Sequence, residues 1–118
     1  MAETTIFSRI IAGEIPANIV YRDAQCVAFR DIQPQGPTHI LVVPVEPIAS
    51  VADMTPEHEQ LVGHLFAVAA KLGRDEGIAE SGYRLIINHG ADAGQTVAHL
   101  HVHLIGGRPL GALVGSAT

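Results

Sequence analysis

The sequence has 118 residues, enough for one domain and too few for two. Hydrophobic residues make up 47% and charged residues 16%, a globular balance that excludes an intrinsically disordered chain. The net charge of −5 excludes the basic footprint on which duplex nucleic-acid binding depends, although a few hydrogen-bond donors suffice to hold one phosphate of a small molecule.

A chain of this size buries only about two-thirds of its unfolded surface. With a mean hydropathy of +0.27, the apolar surface left over predicts an oligomer. The single cysteine, Cys26, has no partner for an internal disulfide and sits in the apolar run Cys26-Val27-Ala28-Phe29, so it is expected to be buried. The start MAETTIFSR is too polar for a secretion signal, and no apolar stretch approaches the roughly 18 residues of a membrane span. The expectation is a reducing, cytoplasmic location with no membrane contact.

In chain order, Thr4 or Thr5 caps a short helix over residues 6–12, with Gly13 as its stop and Pro16 forcing an extended exit. Short strands follow at 20–21 and 27–31, separated by the turn residues Asp23-Ala24-Gln25. Alternation puts Val27, Phe29 and Asp31 on one face. After the turn Gln33-Pro34-Gln35-Gly36-Pro37-Thr38, the run His39-Ile40-Leu41-Val42-Val43 reads as a central strand covered on both faces and closed by Pro44.

Thr55-Pro56-Glu57 opens the one long helix, with a capping hydroxyl, proline at the first position and an acid near the positive dipole end. Leu61, Leu65, Val68, Ala69 and Leu72 recur at helical spacing, and Gly77 ends it. The last two strands, 83–88 and 99–105, flank a glycine-bearing loop from His89 to Thr96. Short links make most neighbours antiparallel, so the fold class is α+β. The tail beyond Arg108 is small and apolar and receives no assignment.

The final strand carries His99, His101 and His103, alternating with Leu100, Val102 and Leu104. Period two places three imidazoles on one face, roughly 6–7 Å apart, and three aliphatic side chains on the other. Three uses of such a face compete. The rings can simply be surface residues of a half-exposed strand. They can bind a metal, but three on one straight strand span about 13 Å, too far to converge on an ion with bonds of about 2 Å, whereas a pair plus His39 could. Or one ring attacks phosphorus while its neighbours tune it, which requires a neutral ring with one nitrogen donating to a fixed acceptor and the other lone pair free. Gly94, Gln95 and Thr96, just upstream, offer an amide and a hydroxyl that can cradle a phosphate and favour this last use. His58 and His64 on the helix read as surface or interface residues, and His89 as a loop residue.

The segment Gly94-Gln95-Thr96-Val97-Ala98-His99-Leu100-His101-Val102-His103-Leu104-Ile105-Gly106-Gly107-Arg108 resembles the signature of the histidine triad (HIT) family. Ile6-Phe7 through Pro16, Ala28-Phe29-Arg30-Asp31-Ile32, and Gly36-Pro37-Thr38-His39 through Pro44 resemble its Hint branch, the purine nucleoside phosphoramidases. The nucleotidyl transferase branch carries glutamine where this chain has His103. The dinucleoside polyphosphate hydrolase branch shares the triad but is less similar in the amino-terminal half.

The resemblance implies a single HIT domain over residues 1–118, with a five-stranded antiparallel sheet, one long and one short helix, and a homodimer joined into a ten-stranded sheet. It also implies a hydrolase of purine nucleoside 5′-phosphoramidates, of the AMP-amine or AMP-lysine type, that needs no metal or cofactor. His101 would attack the α-phosphorus and form a nucleotidyl-histidine, while His99, His103 and His39 surround and tune that ring. Gln95, Thr96 and Asn88 would contact the phosphate, Asp31 the ribose hydroxyls, and Phe7, Ile10, Ile15, Phe29, Ile32 and Leu41 the base of an AMP or GMP moiety. A dinucleoside polyphosphate hydrolase and a non-catalytic nucleotide-binding or scaffold protein are the alternatives. Two departures from the branch stand out. The tail 109–118 has no aromatic residue, and Ala98 is smaller than is usual there, which predicts looser packing under His99.

Overall fold

The computed structural model describes residues 4–113. Its first element, α1 (Ile6–Ile11), begins at a reciprocal cap in which Ser8 N–H donates to Thr5 Oγ1 at 3.2 Å and Thr5 N–H to Ser8 Oγ at 2.8 Å. Thr5 rather than Thr4 is the cap, because it is the position whose hydroxyl reaches an N–H that the first turn leaves free. Strands β1 (Ile19–Arg22) and β2 (Cys26–Arg30) form the expected hairpin. One carboxylate oxygen ties its turn, Asp23 Oδ1 accepting from Gln25 N–H at 2.8 Å and Cys26 N–H at 2.9 Å.

Strand β3 (Thr38–Pro44) is buried along its whole length. With β4 (Tyr83–Ile86) and β5 (Val102–Gly106) it completes a five-stranded sheet of order β1-β2-β3-β5-β4, antiparallel at every pairing. Alternation along β3 sends Ile40 and Val42 to one side and Leu41 and Val43 to the other. On the first side they join Cys26, Leu100, Val102 and Leu104 beneath Val62, Leu65, Val68, Ala69 and Leu72 of the long helix α2 (Glu59–Asp75). On the second side Leu41 and Val43 pack with Val27 and Phe29 under Phe7 and Ile10. A helix as short as α1 covers only part of that side, and the histidines share the remainder.

The helix approaches the sheet closely at Gly73, where a Cβ would lie 2.5 Å from Cε2 of Tyr83. Arg30 ties β2 to the end of α2 through a forked pair with Glu76, at 2.8 and 3.0 Å. Among the described residues, no helix is long and apolar enough to cross a membrane. Ile19, Ile32, Val45, Val51 and Phe66 stand at the surface, in line with the apolar excess read from the composition.

Several boundaries differ from the periodicity. Strand β5 starts at Val102, not His99, because its ladder with β3 stops at the Val42–Val102 pair. Pro44 has no N–H to extend that ladder, and Leu100 N–H turns instead to the Ile48 carbonyl at 2.7 Å. Strand β4 ends at Ile86, whose pairing with His103 is the last of its ladder with β5, leaving Ile87 and Asn88 beyond it. Asp31 lies one residue past β2. Residues Pro56–His58 form a 3-10 turn that runs into α2, Thr55 N–H donating to His58 Nδ1 at 3.0 Å. In α2 it is Val62 that takes the deeply buried place, and Leu61 is half-buried.

Candidate active site

The backbone around the four histidines determines where their protons sit. A carbonyl can only accept, so His99 donates Nε2–H to Pro44 O at 2.8 Å, and His101 donates Nδ1–H to His99 O at 2.7 Å. His101 is left with the lone pair of Nε2 free. A backbone N–H can only donate, so His39 accepts from Gln35 N–H at Nδ1 (3.0 Å) and carries its own hydrogen on Nε2. That hydrogen goes to His103 Nδ1 at 2.9 Å, which leaves neutral His103 with a hydrogen on Nε2. Each tautomer thus follows from one main-chain group.

Burial keeps these rings neutral. His39, His99 and His101 all have pKa values lowered mainly by desolvation; the Asp31 charge opposes this at His39, the hydrogen bond to His99 O and then the Asp31 charge at His101, and the hydrogen bond to Pro44 O at His99. Desolvation, with His101 and His39 close by, takes His103 down to about 4. The rings of His101 and His103 are 4.9 Å apart and edge-on, nearer than the ~6–7 Å of successive same-face strand positions, because His101 precedes the strand.

Beside the histidines lies a cleft of about 440 Å³. All six side chains expected at a base, Phe7, Ile10, Ile15, Phe29, Ile32 and Leu41, line it, together with Asp31 and Thr96. Ile32 is 92% exposed and stands at the lip. The wall also contains Ile6, Pro16, Ala17, Arg30, Gln33 and Val97, which the sequence reading did not single out for the site. Phe7 links cleft and histidines, its ring centroid 4.9 Å from that of His101 and 5.4 Å from that of Phe29.

Other expected residues lie elsewhere. Gln95 is spent within the protein: its Oε1 accepts from Gly90 N–H at 3.0 Å, and its Nε2 donates to Ala49 O at 2.9 Å and Val97 O at 3.1 Å. Asn88 is half-buried beyond β4 and is not in the wall of the cleft. Ala98 is exposed and does not underlie His99, which is 1% exposed and held by its own hydrogen bond. His58 and His64 are half-buried and engage carboxylates rather than solvent, Glu46 at 2.7 Å and Asp23 at 2.6 Å.

Among the described residues, two groups have donor atoms within 4.8 Å of one another, close enough to share a metal ion: Asp31 with His39 and His103, and Asp23 with Cys26 and His64. In the first, an ion would have to displace the proton between the two rings; Asp31 Oδ2 lies 3.5 Å from His39 Nε2. In the second, Asp23 already accepts from four donors, and burial beside that carboxylate pushes the Cys26 thiol up to about 12.

A neutral ring with a fixed tautomer and a free lone pair, beside an apolar cleft, is equipped for nucleophilic attack on an electrophile seated there. Residues 12–110 match the family model of the HIT domain. The chain is similar to the purine nucleoside phosphoramidase of Escherichia coli (strain K12), at 57% identity over 97% of this chain and 96% of that one. It is 54% identical, over 93% of its length and 96% of the relative's, to an uncharacterized HIT-like protein of Synechococcus elongatus. Among solved structures, a HIT family hydrolase from Legionella pneumophila superposes with a TM-score of 0.92 at 42% identity, covering 95% of this chain and 100% of that one. A HIT family hydrolase from Clostridium thermocellum gives 0.91 at 43% identity, covering 97% and 99%. The chain belongs to the HIT domain family.

Proposed function

We propose that this chain hydrolyses the P–N bond of purine nucleoside 5′-phosphoramidates, of the AMP-amine or AMP-lysine type, through a nucleotidyl-histidine on His101. The observation that carries this reading is the His101 Nδ1–H bond to the His99 carbonyl at 2.7 Å, which leaves Nε2 as a neutral nucleophile. The Escherichia coli relative at 57% identity is named for this activity.

His101 Nε2 attacks the α-phosphorus, the P–N bond breaks, and the amine leaves with the bonding pair and takes up a proton. Water then cleaves the new P–N bond to His101 and releases the nucleoside monophosphate. His103 Nε2–H, kept in place by His39, is the donor for charge that builds on the phosphoryl oxygens. The base occupies the cleft against Phe7, Phe29 and Leu41, with Asp31 near the ribose and Thr96 near the phosphate. Gln95 supports the loop that carries Thr96 rather than meeting the phosphate itself.

On this reading residues 1–118 are one HIT domain that acts as a cytoplasmic homodimer. The sheet's open edges at β1 and β4 and the exposed apolar residues support association into a ten-stranded sheet.

The test is turnover of adenosine 5′-phosphoramidate in excess chelator, beside His101→Ala. AMP release by the parent, lost by about three orders of magnitude or more in the variant, is the expected result. No release from a folded parent that binds AMP overturns the reading and leaves the polyphosphate hydrolase or the binding protein.

A further inference from the structure

We propose that Arg108 is a positioning residue for the His39–His103 pair, acting through the backbone of the turn between β2 and β3; this rests on the phosphoramidase reading above. Gln35, in that turn, is used in both directions. Its N–H meets His39 Nδ1 at 3.0 Å, and its carbonyl accepts from Arg108 Nη2 at 2.8 Å. Arg108 lies just past the end of β5, the strand that carries His103. One strand therefore supplies the ring that ends the relay and the guanidinium that holds its beginning.

The rest of the turn is already constrained. Gln33 N–H donates to Asp31 Oδ1 at 2.8 Å, and Pro34 and Pro37 fix their own φ. A Cβ on Gly36 would stand 3.1 Å from Gly106 O and from Ile105 Cγ2, so the turn lies flat on the end of β5. Gln35 itself is tied within the turn only by its side-chain Nε2, which donates to the Gln33 carbonyl at 3.2 Å, and its backbone orientation is the one that matters for His39. If the backbone turns at the Gln35 Cα, which joins the peptide bearing this N–H to the peptide bearing the carbonyl, the N–H leaves Nδ1, His39 can carry its hydrogen on either nitrogen, and His103 loses its fixed donor. Arg108 holds the peptide on the far side of that Cα through the Gln35 carbonyl, with a planar fork whose other arm, Nη1, donates to the Pro109 carbonyl at 2.9 Å. A lysine has one flexible ammonium and cannot hold both carbonyls in that geometry.

The experiment uses the full chain and the variants R108A and R108K, with nitrogen-15 NMR of the imidazoles to record tautomers and turnover of adenosine 5′-phosphoramidate to record kcat and KM. In the parent, His39 is expected as the single Nε2–H tautomer. R108A is expected to give a mixture at His39 and a kcat lower by about tenfold at unchanged KM, with R108K in between. An unchanged His39 tautomer in R108A overturns the proposal, whether or not kcat falls, because a merely structural loss lowers stability without shifting the ring proton. If R108A does not fold, R108K decides by the same readout. If the parent has no phosphoramidase activity, that reading fails, while the tautomer measurement still decides the role of Arg108.

Discussion

His99 orients His101 through its main chain and not through its ring. The His99 carbonyl accepts the His101 Nδ1–H at 2.7 Å, while the His99 imidazole turns aside to the Pro44 carbonyl at 2.8 Å. The ring anchors its own backbone to the end of β3, and that backbone then orients His101, the proposed nucleophile. The first histidine of the triad is thus a clasp between β3 and the segment leading into β5.

The two residues should therefore fail differently. His101→Ala removes the proposed attacking atom and is expected to abolish turnover, and because it leaves the buried His99 carbonyl without its donor it also lowers stability by about 1–3 kcal/mol. His99→Phe keeps a ring but leaves the buried Pro44 carbonyl without a donor, at a cost of about 1–3 kcal/mol. Thermal unfolding should fall by roughly 4 °C for each kcal/mol, and kcat by about tenfold for each 1.4 kcal/mol of lost orientation. A His99→Phe variant with the parent's melting temperature would count against the clasp.

Acid acts on this site in one direction. Protonating His101 removes the lone pair at Nε2, so kcat/KM should be flat above the ordinary histidine range, about 6.5, and fall only below it, since burial lowers the His101 pKa. Stability follows the same sign. The unfolded chain binds protons on these histidines at about pH 6.5, whereas the folded chain resists them down to about 4 at His103. The stabilisation is fully present above the first value and is lost progressively as pH falls to the second. Melting curves between pH 8 and 4 check this; a midpoint that rises on acidification through pH 6 would contradict neutral burial.

Gly73 sets two effects against each other. Alanine in the middle of a helix is favoured over glycine by about 1 kcal/mol. At this position its Cβ would lie 2.5 Å from Tyr83 Cε2, and overpacking of this kind costs about 1–3 kcal/mol. The clash outweighs the propensity, so Gly73→Ala should lower the melting temperature. Combining it with Tyr83→Leu, which removes the ring, should recover most of the loss.

Much of this was legible in the residues. Alternation of His99, His101 and His103 with Leu100, Val102 and Leu104 is enough to put imidazoles and aliphatics on opposite sides, and the aliphatics do enter the core under α2. The shared parity of Phe29 and Asp31, and of Leu41 with His39, puts Phe29, Asp31 and Leu41 in the wall of the cleft, while His39 lies on the same side of the sheet outside that wall. The tautomers were not legible, because the groups that set them are the carbonyls of Pro44 and His99 and the N–H of Gln35, which almost any residue would supply. Strand ends were hidden for a related reason: β5 begins where β3 runs into a proline without an N–H, a property of the pairing rather than of the histidine segment.

Gln95 is held on both ends of its side-chain amide by the backbone around it. Its place beside Thr96 reads as a phosphate donor, yet one amide spans three segments: Gly90 N–H on Oε1, and the carbonyls of Ala49 and Val97 on Nε2. Gln95→Glu keeps the shape and the acceptor but replaces both donor hydrogens with an anionic oxygen facing two carbonyls. The loss should reach about 1–3 kcal/mol in stability, with a lower kcat that follows from displacement of the 90–97 loop. Gln95→Ala, which removes the clasp without adding repulsion, should be milder in both respects. A residue whose role was to hold phosphate would behave otherwise: Gln95→Glu would leave the melting temperature of the unliganded protein unchanged and act mainly by raising KM through repulsion of the anion. Paired melting and steady-state measurements on the two variants separate these outcomes.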